Sequence, residues 1–284
     1  MIWQEYWGLS RDPFLDHESA YIPLPEHEEA AARLSYAVEG GRRWALLSGP
    51  AGVGKTRVLR RALEQARRPS RRLALVTGPM DGATLYADLA ARLGSRLTPG
   101  ASREPAWQAL HQAARVLAVQ GLHLVLGVDA AEALLDGPGR VDLLRLALLG
   151  EACGGRVTIL VAATEEAALV EGPGFEGGPV ASLRPLPLSE ARHYLEARLA
   201  AAGCRDALFS PRGWSGSISC RGTSRGLDRL ADALCLMTAA ERGLEAVSSE
   251  FVDRLAGEPD SASARPFAVV GSAACPPGAA TRSG

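Results

Sequence analysis

The octapeptide GPAGVGKT, from Gly49 to Thr56, constrains the fold of this chain more than any other stretch. It fits the pattern G-x-x-x-x-G-K-[ST], and it lies between an apolar run, RWALLSGP, and a helix-forming run, KTRVLRRALEQARR. In such a strand–loop–helix unit, the loop N–H groups and the helix N-terminus together form a site for phosphate groups. The stretch therefore predicts a nucleotide-binding α/β domain.

Lys55 is the only lysine in a chain that has 31 lysines and arginines in total. The compact ammonium of lysine fits inside a phosphate loop, where the planar guanidinium of arginine is too bulky. We expect Lys55 to reach the β- and γ-phosphates of ATP and Thr56 to hold Mg²⁺. The residues predicted to contact the nucleotide in this loop are Gly49, Pro50, Ala51, Gly52, Val53, Gly54, Lys55, Thr56 and Arg57.

Apolar runs that alternate with helical runs predict the rest of the α/β domain. Continuous apolar strands of this kind are typical of a parallel sheet covered by helices on both faces. We predict five strands, in the runs RWALLSGP, RLALVTGP, LHLVLGVDA, RVTILVAATEEA and PVASLRPLPL. We predict helices over residues 82–93 and 105–119, and around RVDLLRLALLGEA.

The pattern changes after Pro187, where helical runs continue without further strands. SEARHYLEARLAAAG predicts a helix that is capped by Ser189 and ends at Gly203, and further helices are predicted near 226–242 and 248–256. The last residues are rich in Pro, Gly, Ala and Ser, which predicts a disordered tail. We therefore divide the chain into an N-terminal segment and helix (1–40), a P-loop α/β domain (41–187), an all-helical lid subdomain (188–256) and the tail (257–284).

The second half of the predicted nucleotide site follows the third strand. ATP hydrolysis needs an acidic residue there to hold Mg²⁺ and a carboxylate to activate water. Asp129 occupies the first position and is predicted to be a metal ligand. The following residue, where the base is expected, is Ala130. Glu132 either supplies the missing carboxylate or caps the next helix, and the sequence leaves both open.

Two further polar residues are candidates for the same site. Thr164 ends the fourth strand, where it could orient water or contact the γ-phosphate, or cap the next helix. Arg225 begins a helix of the predicted lid and could fold over the nucleotide, with Arg221 and Arg229 as alternatives and a surface role still open.

Composition excludes several other classes of function. The net charge of −1 disfavours a strongly basic nucleic-acid binder. The N-terminus does not resemble a signal peptide, and no apolar run is long enough for a membrane span, so we expect a cytoplasmic protein. The five cysteines form no CxxC pair, and the five histidines, which we expect to be surface or packing residues, have no metal-ligand spacing. Trp3, Tyr6, Trp7 and Phe14 are expected to pack against the sheet, with contact to adenine or a partner as the alternative.

The chain resembles the AAA+ ATPases of the ExeA/GspA-like general secretion pathway type, which are close to the helper ATPases of transposition. The resemblance extends from about Tyr6 to Leu255 and includes EYWGLSRDPF, LRPLPLSEARHYLEARLAAAGC and GTSRGLDRLADAL. It implies that Gly49 to Thr56 form the Walker A loop and that Asp129 is the Walker B aspartate. It also implies that Thr164 and Arg225 are the sensor-1 and sensor-2 residues, and that ATP and Mg²⁺ are the cofactors.

The chain departs from this family at two catalytic positions. The family reads Asp-Glu-Ala-Gln where this chain has Asp129, Ala130, Ala131 and Glu132, so the water-activating glutamate is missing. The arginine that the family carries before the fifth strand is also missing, and the first arginine in this region is Arg184. We expect an ATP-binding protein that hydrolyses ATP slowly and couples its nucleotide state to a partner protein. A non-hydrolysing switch and a DNA-linked helper ATPase are the alternative functions, and assembly into a homo-oligomer is left open.

Overall fold

The computed structural model describes residues 3–13, 21–98, 100–135, 137–164, 177–204, 208, 236–248, 250–251 and 254. The strands are β1 (Trp44–Ser48), β2 (Arg71–Val76), β3 (His123–Val128), β4 (Val157–Ala163) and β5 (Val180–Ser182). The helices are α1 (Trp3–Tyr6), α2 (Pro25–Glu39), α3 (Lys55–Gln65), α4 (Gly82–Arg92), α5 (Arg103–Val119), α6 (Gly137–Ala147), α7 (Leu149–Cys153) and α8 (Leu188–Ala201). A 3₁₀ turn, Ala131–Leu134, follows β3.

The five strands form one parallel sheet in the order β2-β3-β4-β1-β5. Every residue of β1, β3 and β4 is buried, because these strands occupy the centre of the sheet and carry apolar side chains on both faces. The structure thus confirms the predicted fold class, a P-loop α/β sheet flanked by helices, and each of the five predicted strands.

Helices cover the two faces of the sheet in separate hydrophobic clusters. On one face, α2 and α3 pack through residues such as Leu34 and Leu59. On the other face, α4 to α7 pack through Leu85, Trp107 and Leu146. Burial of these side chains provides the main stabilisation of the domain, at about 25 cal/mol for each Å² of apolar surface removed from water.

Two predicted helices differ from those observed. The helix predicted around RVDLLRLALLGEA is divided into α6 and α7 at Leu148. The prediction that Ser189 caps the helix after Pro187 is wrong, because α8 begins at Leu188 and its N-cap residue is Pro187 in extended conformation. Proline at this position lacks an N–H but needs none, since the first helical donors have no intrahelical acceptor.

The N-terminal segment packs against the C-terminal helices, and the prediction that its aromatic residues pack against the sheet is wrong. Trp7 and Leu9 share a hydrophobic cluster with Tyr194 and Leu199 of α8. The indole N–H of Trp7 donates a hydrogen bond to the Leu236 carbonyl over 2.8 Å. Apolar residues distant in sequence, from both ends of the described chain, therefore form one core. Phe14 lies outside the described residues.

The parallel sheet brings the carboxyl ends of three strands to one edge. Ser48 of β1 lies beside Ala163 of β4, and Val128 of β3 lies beside Val161 of β4. The segments that leave these strands therefore begin close together, which is the usual position of ligand sites in open α/β sheets. Across the parts of the chain that the structure describes, no helix combines the length and the apolarity needed to cross a membrane.

Candidate functional site

The loop between β1 and α3 has the backbone geometry of a phosphate-binding loop. Gly49 cannot carry a side chain, because a Cβ atom there would lie 2.5 Å from the Leu183 carbonyl oxygen. Gly54, the N-cap residue of α3, has a φ of 103°, which L-residues with side chains rarely adopt. This backbone turns the loop so that α3 begins with its unpaired N–H groups at the carboxyl edge of the sheet.

The Lys55 side chain folds back over the same loop. Its Nζ donates hydrogen bonds to the carbonyl oxygens of Gly49, at 2.7 Å, and Pro50, at 3.0 Å. Burial lowers the pKa of the Lys55 ammonium, and the carboxylates of Glu132 and Asp129 act in the opposite direction. The side chain therefore lies in the loop as a desolvated donor group beside two acidic residues.

Thr56 and Asp129 bring the two halves of the site into contact. The Thr56 hydroxyl donates a hydrogen bond to Oδ2 of Asp129 over 2.6 Å, across 73 residues of sequence. A hydroxyl and a carboxylate are hard oxygen donors, the type that Mg²⁺ prefers. Asp129 is 6% exposed, so its carboxylate lies at the site and away from bulk solvent. This pair fits a magnesium site that phosphate and water oxygens would complete.

Ala130, which follows Asp129, has an uncommon backbone conformation. Its φ is 54°, and among the described residues it is the only one other than glycine with a positive φ. An alanine in this left-handed region costs about 1–2 kcal/mol. The turn leads directly into the 3₁₀ helix that carries Glu132, which is half-buried and near enough to Lys55 to affect its pKa.

The structure brings together most of the residues predicted for the site. Lys55, Thr56, Asp129 and Glu132 cluster at the carboxyl edge of the sheet, and Thr164 follows the end of β4 at that same edge. The predicted sensor-2 residue, Arg225, lies outside the described residues, as do Arg221 and Arg229. Their roles stay predictions.

His27 belongs to the support of the site, and the sequence assigned it only a surface or packing role. Its side chain is nearly fully buried, at 2% exposure, and its Nε2 donates a hydrogen bond to the Val53 carbonyl of the phosphate loop at 2.9 Å. His27 shares the helical spacing of Ala30, Ala31 and Leu34 on the buried face of α2. That spacing was the signal that could have identified the histidine as an inward-facing polar residue.

Arg57 directs its guanidinium toward α8. Its Nη1 donates a hydrogen bond to the Tyr194 hydroxyl over 2.9 Å. Tyr194 is buried in the cluster that α8 forms with the N-terminal segment. Arg57, which follows Thr56, therefore connects the first turn of α3 with α8.

The chain is similar in sequence to known proteins. Residues 38–170 match the family described as "AAA domain". General secretion pathway protein A of Aeromonas hydrophila is 28% identical to this chain over 258 residues. The match covers 85% of this chain and 46% of that relative, so this chain spans less than half of the relative's length.

Solved structures share the fold at low sequence identity. Cdc6p from Pyrobaculum aerophilum has a TM-score of 0.69 at 20% identity, over 84% of this chain and 68% of that one. The Aeropyrum pernix Orc1 protein, solved in complex with DNA, has a TM-score of 0.66 at 19% identity, over 85% of this chain and 67% of that one. At these identities the likeness extends to the fold alone.

Proposed function

Because this chain belongs to the ExeA-like AAA+ P-loop ATPases, we propose that it binds ATP with Mg²⁺, hydrolyses it slowly, and couples its nucleotide state to a partner protein. The observation that carries this proposal is the contact between Thr56 and Asp129 beside the buried ammonium of Lys55. These three groups come from the two segments that a P-loop ATPase uses to hold phosphate and metal.

Binding would begin with the exchange of Lys55 contacts. Its ammonium now donates to the carbonyls of Gly49 and Pro50, and the phosphates of ATP offer stronger, charged acceptors. Thr56 and Asp129 would hold Mg²⁺, which neutralises negative charge on the phosphates. The N–H groups at the start of α3 would donate to the same phosphates.

Hydrolysis requires a base, and we assign that role to Glu132. Its carboxylate would accept a proton from water while the water oxygen bonds to the γ-phosphorus. The bond from that phosphorus to the β–γ bridging oxygen would then break, releasing ADP and phosphate. A base on a 3₁₀ turn two residues beyond the family's position is less well placed, so we expect slow turnover.

A non-hydrolysing switch is the alternative, and Ala130 favours it, because a methyl group stands where the family has its base. In either case the Arg57–Tyr194 hydrogen bond offers a route from the phosphate loop to the helices around α8. We propose that the partner is a protein, because a net charge of −1 gives DNA little general attraction. We also propose that the chain acts in the cytoplasm.

The test combines two measurements on the wild type and on Lys55→Ala. Binding of a fluorescent ATP analogue should require Lys55, and phosphate release at saturating ATP should exceed the Lys55→Ala background. Binding without release above background would establish the switch and remove the ATPase. Equal analogue binding by both proteins would contradict the proposed phosphate site.

A further inference from the structure

A groove lies between the outer face of α3 and the edge of the sheet. It is lined by Tyr21, by six residues between Arg57 and Arg67 in and just after α3, and by residues 73–75 of β2, with a cavity of about 310 Å³, and we call it the α3–β2 groove. Leu63, Leu73 and Leu75 form its apolar floor. Leu73 and Leu75 are only partly buried, although both pack against the core on this face of the sheet.

The rim of the α3–β2 groove is strongly positive. Four arginines line the groove against a single carboxylate, that of Glu64; the arginines are Arg57, Arg60, Arg61 and Arg67. Arg57 donates to Tyr194, and Arg61 lies 3.5 Å from the Glu28 carboxylate. Arg60 and Arg67 are exposed, and neither forms an ion pair with any acidic side chain in the described ranges. The groove therefore presents two exposed guanidinium groups that form no ion pair with a described acidic side chain, beside an apolar floor.

The edge of the sheet adds backbone hydrogen-bonding groups to the groove. β2 is the outermost strand and pairs with β3 alone among the described strands. His123 N donates to the Ser70 carbonyl and Asp129 N donates to the Val76 carbonyl, so even-numbered residues of this segment face β3. Because backbone groups alternate in direction along a strand, the N–H and C=O groups of Leu73 and Leu75 point outward from the edge.

We propose that the α3–β2 groove binds an extended acidic segment of a partner protein, which adds as a strand to the edge of β2. Carboxylates of that segment would pair with Arg60 and Arg67, and its backbone would pair with Leu73 and Leu75. DNA fits the groove less well, because its phosphates would contact the arginines but would neither pack on the leucine floor nor pair with the backbone of β2 as a strand does. The exposed arginines, the apolar floor and the outward backbone groups of β2, which among the described strands pairs with β3 alone, together favour an acidic peptide.

This inference gives a chemistry to the partner in the proposed function, and it rests on that function only for the consequence of binding. The groove is formed by α3, and α3 begins at Lys55 in the phosphate loop. A peptide in the groove therefore contacts the helix that holds ATP. Binding of the peptide itself requires no nucleotide.

The experiment measures fluorescence anisotropy of a labelled nine-residue peptide with glutamate and valine at alternate positions, added to the full chain at low ionic strength. One comparison peptide has lysine in place of glutamate, and another has N-methyl groups on alternate backbone nitrogens. The double variant Arg60→Glu with Arg67→Glu reverses the free charges of the groove. Its matched control, Arg92→Glu with Arg115→Glu, makes the same charge change at exposed positions of α4 and α5.

We expect the glutamate peptide to bind the wild type and the control variant with Kd values within about twofold, and the groove variant at least about tenfold more weakly. The N-methylated and lysine peptides should bind at least about tenfold more weakly to the wild type. No binding of the glutamate peptide, an equal loss in the control variant, or undiminished binding of the N-methylated peptide would overturn the proposal. Tighter binding of duplex DNA that also depends on Arg60 and Arg67 would overturn it in favour of a nucleic-acid surface.

Analogue binding on the same samples separates this proposal from the proposed function. The groove variant should bind the fluorescent ATP analogue as the wild type does, because Arg60 and Arg67 lie outside the phosphate loop. Loss of peptide binding with intact nucleotide binding identifies the groove. Failure of nucleotide binding with intact peptide binding would support the groove proposal and contradict the proposed ATPase function.

Discussion

The loop before α3 and the turn after β3 face each other across one site, yet they differ in completeness. The loop has glycines where the backbone requires them, and it has the single lysine of the chain. The turn keeps Asp129 but has Ala130 in a strained conformation at the position where the resemblance to ExeA-like ATPases implies a base. This contrast indicates that the lysine of the phosphate loop and the base expected after Asp129 belong to separate segments, so the base can be lost while the lysine is kept.

The largest effect should follow from Lys55→Arg, which keeps the positive charge in the phosphate loop and changes only the shape of the cationic group. We expect the affinity for the ATP analogue to fall about 1000-fold, or about 4 kcal/mol, because the guanidinium does not fit the loop that surrounds the ammonium. Equilibrium binding measures this, with circular dichroism to check folding. Affinity within about threefold of wild type would mean that the loop accepts any cation.

The stability of the sheet that carries the site should depend on pH. This dependence should be independent of the loop before α3 and of the turn after β3. Burial lowers the pKa of His123 to about 4, with Arg156 and Arg71 adding to the effect. The unfolded chain binds this proton near its ordinary pKa of about 6.5, so stability is full above that pH and decreases toward pH 4. The loss should reach about 3 kcal/mol in denaturant titrations.

His123→Gln provides the control for that pH dependence. The Thr158 hydroxyl donates to the Arg42 carbonyl, so the His123 Nε2 must donate to Thr158 in turn. Glutamine retains an N–H donor but does not titrate. An unchanged slope of stability against pH in this variant would assign the effect to other groups.

Ala130→Glu should supply the carboxylate base that the turn after β3 lacks. We expect phosphate release to rise about 100-fold, since a well-placed base contributes at least about that factor. Ala130→Gln, of the same size but without a base, should remain as slow as the wild type. Equal rates in the two variants would show that the site lacks more than its base.

Glu132→Gln should reduce turnover about tenfold, because it removes the carboxylate that we assign to water activation. The affinity for the ATP analogue should stay within about twofold, because Lys55 and Thr56 are unchanged. Glu241→Gln, at an exposed position of the C-terminal helices, is the matched control for the charge change. Wild-type phosphate release in Glu132→Gln would mean that Glu132 does not act as the base; a helix-capping role is already ruled out, because Glu132 lies within the 3₁₀ helix and the N-cap residue is Ala130.

The smallest effect concerns the strain at Ala130. Ala130→Gly should stabilise the fold by about 0.5–1 kcal/mol, because glycine adopts a φ of 54° without a steric cost. Thermal unfolding measures this as a higher Tm, and phosphate release should not change. A lower Tm would mean that the alanine methyl group contributes packing that outweighs its backbone strain.

The amino-acid sequence was enough to predict the fold class, the five strands and the phosphate loop. These features are encoded locally: apolar runs specify buried strands, and Gly49, Gly54 and Lys55 specify a loop within eight residues. Asp129 was predictable for the same reason, because it ends a recognisable strand.

Contacts between distant segments could not be predicted from the sequence and are visible only in the folded molecule. Three side-chain hydrogen bonds connect residues that are far apart in sequence. His27 lies 26 positions from its partner Val53, Arg57 lies 137 positions from Tyr194, and Trp7 lies 229 positions from Leu236. No local pattern records such pairs, because each side chain is compatible with several neighbours until packing selects one. The same is true of the left-handed turn at Ala130: chain geometry imposes it on a residue whose own preference lies elsewhere.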